Sequence, residues 1–216
     1  MFRVAMTAPT RIWFVGAPLG CALIPLLCIP AAEWMAVSRH GSSAFLWFAL
    51  MFVFPALAAV PGFLAGLVGL AFPRVRRRSA VLALCSAAYL VSFIISIRVG
   101  ESVRMSAFHR LAERSKPLVA AIRAYEQRHE HPPESLQALV PEFIPSVPST
   151  GIAAYPEYRY STAATNYHGN PWVIIVFTPS GGINFDQFMY FPLTNYPKTG
   201  YGGWLERVGG WAYVHE

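Results

Sequence analysis

The stretch SAVLALCSAAYLVSFIISI, residues 79–97, carries no charge, and RVGESVRMSAFHRLAERSKPLVAAIRAYEQR, residues 98–128, follows it with no break in helical periodicity. Nineteen apolar residues suffice for a helix crossing about 30 Å of hydrocarbon, where only a helix satisfies its own backbone groups. Beyond the charged exit at Arg98 and Glu101, Val103, Met105, Phe108 and Leu111 keep apolar residues at near-helical spacing, so the helix is expected to run on out of the bilayer. Pro117 lacks a backbone donor and clashes with the preceding turn, which predicts a kink or restart with Ser115 as N-cap for Leu118–Arg128. Leu118, Ala121, Ile122 and Tyr125 then form one apolar face that needs a partner surface.

His131-Pro132-Pro133 ends that helix, because a residue before proline is pushed out of the α region. A short amphipathic helix through Glu134, Ser135, Leu136, Leu139 and Val140 is expected next, closed by Pro141 or Pro145. From there the apolar period changes to two. Tyr158–Tyr160, Trp172–Thr178, Ile183–Phe191 and Trp211–Val214 read as strands, separated by turns at 168–171, 179–182 and 209–210. Short connections join antiparallel neighbours, so an antiparallel meander with the long helix on one face is expected. Residues 185–208 read as a long excursion between strands, with 192–203 as the expected contact surface.

Working toward the N-terminus, Ile12–Ala32 and Ala44–Phe72 are also uncharged and long enough to span. The second is 29 residues with Pro55 and Pro61 inside, which predicts tilt or a kink. The fold class is therefore α+β, with a three-helix transmembrane part over 1–98 and an exported domain over 99–216. The formal charge of +6 does not indicate nucleic acid: residues 1–98 hold eight Arg against Glu33, whereas 99–216 hold nine basic and ten acidic residues. Arg74, Arg76, Arg77 and Arg78 crowd the loop after the second span, and Arg3 and Arg11 precede the first. The positive-inside rule places both sites in the cytoplasm and the 99–216 domain outside a bacterial inner membrane. Cys21, Cys28 and Cys85 all lie in the spans, so no disulfide framework holds the exported half, and Pro18 and Leu19 spoil the lipoprotein signal that APLGC would otherwise resemble.

A spanning helix that continues outward, carries Ala121, Ile122 and Tyr125 on its buried face, turns at Pro133 into Ser135-Leu136-Gln137-Ala138-Leu139 and Val140, and leads to a Tyr158/Tyr160 strand resembles the pilin and type II secretion pseudopilin superfamily over about residues 79–216. The resemblance implies a helix packed on a small sheet and a place in a secretion or pilus-type assembly. Filament-forming members carry a Gly before a Phe or Met and a Glu five residues into the mature helix. PRVRRRSAVLALCSAAYL, before and into the third span, has neither, so prepilin-peptidase cleavage is not expected and the head should stay at the membrane.

Signals for chemistry are sparse. There is no P-loop, no GxGxxG after a strand and no GxSxG elbow, and no ionisable group interrupts the spans. His129, His131 and Glu134 are the best metal candidates, yet two His at i, i+2 on a helix end point to different sides, so a solvated terminus is the expected reading and no cofactor is expected. The aromatic load exceeds what a small core needs, which makes Tyr196, Tyr201, Trp204 and Trp211 the expected interaction residues. The expected partners are the bilayer and a membrane or periplasmic protein, with a cell-wall glycan as the alternative and nucleic acid excluded. The expected role is non-catalytic: structural, scaffolding or sensing.

Overall fold

The computed structural model describes residues 8–163, 167–180, 184–198 and 203–215, and for 8–14 the backbone only. The chain divides into two compact units: Met1–Trp34 with Trp47–Val103, and Met35–Leu46 with Arg104–Glu216. The division falls within α4, between Val103 and Arg104, and the connection 35–46 belongs with the second unit.

The first unit is helical. Helices α1 (Ala8–Ala36), α2 (Ala44–Leu50), α3 (Val53–Gly69) and α4 (Arg76–Arg114) supply three stretches long and apolar enough to cross a membrane. The stretch expected as one kinked span, 44–72, is broken at Met51–Phe52 rather than at Pro61, which stays inside α3. Pro55 explains the place: it offers no donor to the carbonyl four residues back, and its ring crowds that carbonyl. The Phe52 carbonyl at the break accepts both the Ala56 N–H at 3.4 Å and the Tyr89 hydroxyl of α4 at 2.9 Å.

Helices α3 and α4 approach along small residues. A methyl placed on Gly66 would lie 2.8 Å from the Ala83 amide nitrogen and 2.9 Å from its Cβ, and one on Gly62 would lie 3.0 Å from Ser86 Oγ. Gly66, Ser79, Ala83 and Ser86 are buried accordingly. Small residues of this kind let two helix backbones approach closely, the packing that apolar helices use where a hydrophobic drive between them is absent.

In the second unit α4 ends at Arg114 and α5 runs from Lys116 to His129. Ser115 occupies the N-cap position but keeps αR dihedrals, and its hydroxyl donates backward to the Ala112 carbonyl at 2.8 Å instead of capping α5. The interruption is therefore slight: Ser115 N–H bonds to the Leu111 carbonyl and Val119 N–H to the Ser115 carbonyl. Leu118, Ala121 and Ile122 are buried on the expected face. Glu130 closes α5 in the left-handed region at φ 62°. The short helix expected after Pro133 is only a 3-10 turn, Leu136–Leu139, whose two leucines are buried.

The sheet has five antiparallel strands, β1 (Arg159–Ser161), β2 (Val173–Phe177), β3 (Gln187–Tyr190), β4 (Trp204–Val208) and β5 (Trp211–His215), in the order β1-β2-β3-β5-β4. The four expected strands are antiparallel neighbours in chain order, β1-β2-β3-β5, and β4, which was not expected, adds an edge beside β5. Strand β5 sits between β3 and β4 because the connection after β3 is long enough to pass its place, and because β5 is buried at four of five positions while β4 is buried at one. The inner site goes to the strand with more apolar surface to hide.

Aromatic residues concentrate on one face of the sheet. Phe108 of α4 stacks on Phe188 and meets Tyr213 edge-on, each at 4.9 Å, while Phe188 lies flat on Trp211 at 4.9 Å and Trp172 on Tyr190 at 5.7 Å. Alternation sends Val173, Ile175, Met189 and Val214 to the other face, where Phe191, Tyr167, Tyr196 and Leu205 pack over them.

Candidate functional site

Ala112, Lys116, Val119, Arg123 and Gln127 recur every three or four residues, so they lie along one side of the α4–α5 run. That side is one wall of a cleft of about 680 Å³. The opposite wall is the β4–β5 turn, Gly209 and Gly210, with Trp211 and Tyr190. Gly209 takes φ +60°, which a two-residue hairpin turn needs, and a methyl on Gly210 would press to 3.2 Å from the Tyr190 ring. Two glycines keep this wall low.

The cleft has two polar anchors on an apolar bed. Arg123 is exposed, and its Nη2 donates to the buried Tyr190 hydroxyl at 2.9 Å, which aims the guanidinium along the groove. Lys116 pairs with Glu113 at the surface, an interaction weak enough to yield to a competing carboxylate. Alanines 112, 120 and 124 with Val119 form the bed between them. Ser115 is the hydroxyl lining the cleft, and it donates to the Ala112 carbonyl. The surface combines an apolar bed with two cations, chemistry that suits an apolar segment carrying an acid.

The expected interaction residues separate. Trp211 is 2% exposed, its ring forming part of the floor of the cleft and of the core. Tyr196 lies on the other face of the sheet, its hydroxyl accepting from Phe191 N–H at 2.8 Å and shared between the Met189 carbonyl at 3.0 Å and the Gly210 carbonyl at 2.8 Å. Its ring lies under the Arg207 guanidinium, 4.3 Å from the centroid. Trp204 is 63% exposed and stacks on His215 at 4.1 Å. Tyr201 falls outside the described residues. The described part of 192–203 is tied down rather than extended: Leu193 N–H and the Asn195 side chain both bond to Asn170, and Asn195 also donates to the His168 carbonyl.

His129 and His131 lie with Tyr125 and Phe143 in a cluster of rings at the end of α5, with the two imidazole centroids 6.1 Å apart. Among the described residues no group of three or more metal-binding side chains includes them or Glu134.

Sequence reasoning missed Arg123 and the cleft, for which the only signal was the spacing of alanines on the polar side of α5. It also missed strand β4, although Trp204-Leu205-Glu206-Arg207-Val208 followed by Gly209-Gly210 is a hairpin pattern. A second polar group is buried between helix and sheet: Asp186, Arg104 and Tyr213, with the Tyr213 hydroxyl donating to Asp186 and the Arg104 charge acting on the phenol. Burial, and then the Asp186 acceptor, hold the Tyr213 phenol well above its ordinary range, with Arg104 opposing them. Protein-family models, curated proteins and solved structures include no match to this chain.

Proposed function

We propose that the chain is a non-catalytic scaffold of the bacterial inner membrane whose exported, pilin-like head holds a segment of a partner protein, in the setting of a secretion or pilus-type assembly. The observation that carries this reading is the cleft beside α5, with Arg123 steered by Tyr190 over a bed of alanines. Small side chains let another backbone come close, and the two cations favour a partner segment bearing carboxylates. The arginines at 74 and 76–78 support a cytoplasmic N-terminus and an exported 99–216 head. The test is copurification of the full chain in mild detergent from its native membrane. Ala120→Trp with Arg123→Glu should reduce the recovery of bound membrane or periplasmic proteins by at least ~10-fold while leaving the melting temperature within about 2 °C. An unchanged set of bound proteins in that variant rejects the reading.

A second reading rests on Trp204, which is 63% exposed and stacked on His215. The indole's free face suits a sugar ring, so the head would instead bind cell-wall glycan. Trp204→Ala should then abolish retention of the protein on isolated cell-wall material, and retention equal to the parent excludes a glycan role for this residue.

A further inference from the structure

Within the second unit, Gly151 adopts φ +71°, and a methyl built there would fall 2.6 Å from Cζ and 3.1 Å from Nε of Arg114, and closer still to Nη1. The Arg114 guanidinium therefore lies flat against the backbone at a position where any side chain would displace it. The loop that carries Gly151 is pre-set. Thr150 is fully buried, its hydroxyl accepts from Ile152 N–H at 3.2 Å and donates to the Tyr155 carbonyl at 2.5 Å, and Tyr155 donates to the Pro179 carbonyl at 2.8 Å.

Three further groups converge there. Arg110 stands one helical turn before Arg114 on α4. Ala153 N–H bonds to the Ser38 carbonyl at 2.9 Å and Ala154 N–H to the Ala36 carbonyl at 3.3 Å, which fastens the 36–39 loop, and Arg39 with it, beside Gly151. The charges of Arg39 and Arg110 and the Tyr158 phenol all act on Arg114. Arg114 Nε and the Tyr158 hydroxyl are both buried and have no hydrogen-bond partner among the described residues. None of the three arginines is ion-paired with a carboxylate among the described residues. Glu113 pairs with Lys116, and Glu157 is exposed.

A half-buried guanidinium next to two others, with a spare Nε–H and a spare phenol, is costly unless an anion completes it. Three guanidinium groups match the several oxygens of a tetrahedral oxyanion better than a single carboxylate does. We propose that Arg114, Arg110, Arg39 and the Tyr158 hydroxyl form a binding site for a phosphoryl oxyanion, carried by a lipid headgroup or free in solution. The site is distinct from the α5 cleft and does not depend on the scaffold reading. Arg114 Nε and the Tyr158 hydroxyl donate to the oxyanion, while Arg39 and Arg110, both exposed, supply charge at the rim.

The test uses the full chain in dodecyl maltoside, followed by tryptophan fluorescence during heating. One arm titrates sodium phosphate against sodium chloride at equal ionic strength. The other titrates dihexanoyl phosphatidylglycerol, below its micellar concentration, against dioctanoylglycerol, which has no phosphate. At least one arm should raise the melting temperature by about 3 °C or more over its control. A response to the lipid alone assigns the site to the bilayer, and a response to both assigns it to the phosphoryl group itself. Arg114→Gln should abolish the response, and Tyr158→Phe and Arg39→Gln should each weaken apparent affinity by about 3–10-fold. The last two changes alter only a hydroxyl and an exposed side chain, so they report even if Arg114→Gln does not fold. Lys198→Gln, exposed on the β3–β4 connection, should leave the response unchanged. The proposal fails if neither arm exceeds its control, if Tyr158→Phe and Arg39→Gln both retain parental affinity, or if Lys198→Gln loses as much as the cluster variants.

Discussion

The Tyr213 phenol donates to Oδ2 of Asp186 across 2.7 Å, and both side chains are buried between the helix and the sheet. With the buried Arg104 charge acting on the same phenol, the tyrosine lies between a cation and an anion that have little water to turn to. Tyr213→Phe keeps the ring contact with Phe108 but leaves these charges one bond short. The expected cost is about 1–3 kcal/mol of head stability, read from the denaturant midpoint of the full chain in detergent. No measurable change would mean that the network is rebuilt without the phenol.

Buried phenols give the head an alkaline limit. Burial pushes Tyr158 from 10.0 up to about 12, with the Arg114 charge pulling partly back, and burial also raises Tyr160 and Tyr213. The folded state thus binds these protons more tightly than the unfolded chain does. The associated stability is fully present below about pH 10 and is lost as pH rises through about 12. Phenolate absorbance should appear in two stages, with exposed tyrosines first, and the late stage should coincide with loss of far-ultraviolet dichroism. Full ionisation near pH 10 with the sheet intact would contradict this.

Tyr196 binds the β3–β4 connection to the sheet through one hydroxyl serving three backbone groups. Tyr196→Phe should cost about 1–3 kcal/mol and speed amide exchange at Phe191 more than in β2. Replacing the whole 192–203 segment with glycine and serine would unfold this covering layer, so loss of binding in such a variant would not identify a contact surface.

The contact of Gly66 with Ala83 forbids a branched side chain. Gly66→Val should separate α3 from α4 and lower the melting temperature in detergent, at a cost of about 1–3 kcal/mol. Gly20, where an added methyl would meet nothing within 4 Å, should accept alanine with little change. Equal losses from both substitutions would argue against specific packing at Gly66.

The Tyr89 hydroxyl supplements a long helical bond, since the Ala56 N–H lies 3.4 Å from the Phe52 carbonyl in the turn that Pro55 distorts. Tyr89→Phe should cost about 0.5–1.5 kcal/mol in the parent and less once Pro55→Ala has relaxed that turn and let the Ala56 bond shorten. A double-mutant cycle measures the difference, and additive costs would mean that the two residues act independently.

The three long apolar helices, the continuation of α4 beyond Ile97, the break at Ser115–Pro117 and the positions of β1, β2, β3 and β5 were legible because each depends on local composition and periodicity. Uncharged stretches of about 20 residues favour a long helix, and short β-branched and aromatic runs bounded by turn residues, as in β2 and β5, favour a strand. Strand β4 was hidden inside an apparent loop because Glu206 and Arg207 dilute its apolar pattern, as an edge position permits. The aromatic count of the head was legible, but its distribution was not: Trp172, Phe188, Tyr190 and Trp211 lie in the core, while Trp204 remains outside.

Taken alone, the order of residues determined what each segment becomes, since helix and strand periodicity, proline and glycine act within a few neighbours. Only the tertiary structure decided that β5 displaces β4 from the inner position, that Gly66 meets Ala83, and that Arg114, Tyr158 and Gly151 share one place. Those outcomes depend on which surfaces compete for burial and on contacts between residues tens of positions apart, and burial is a property of the assembled chain rather than of any stretch of it.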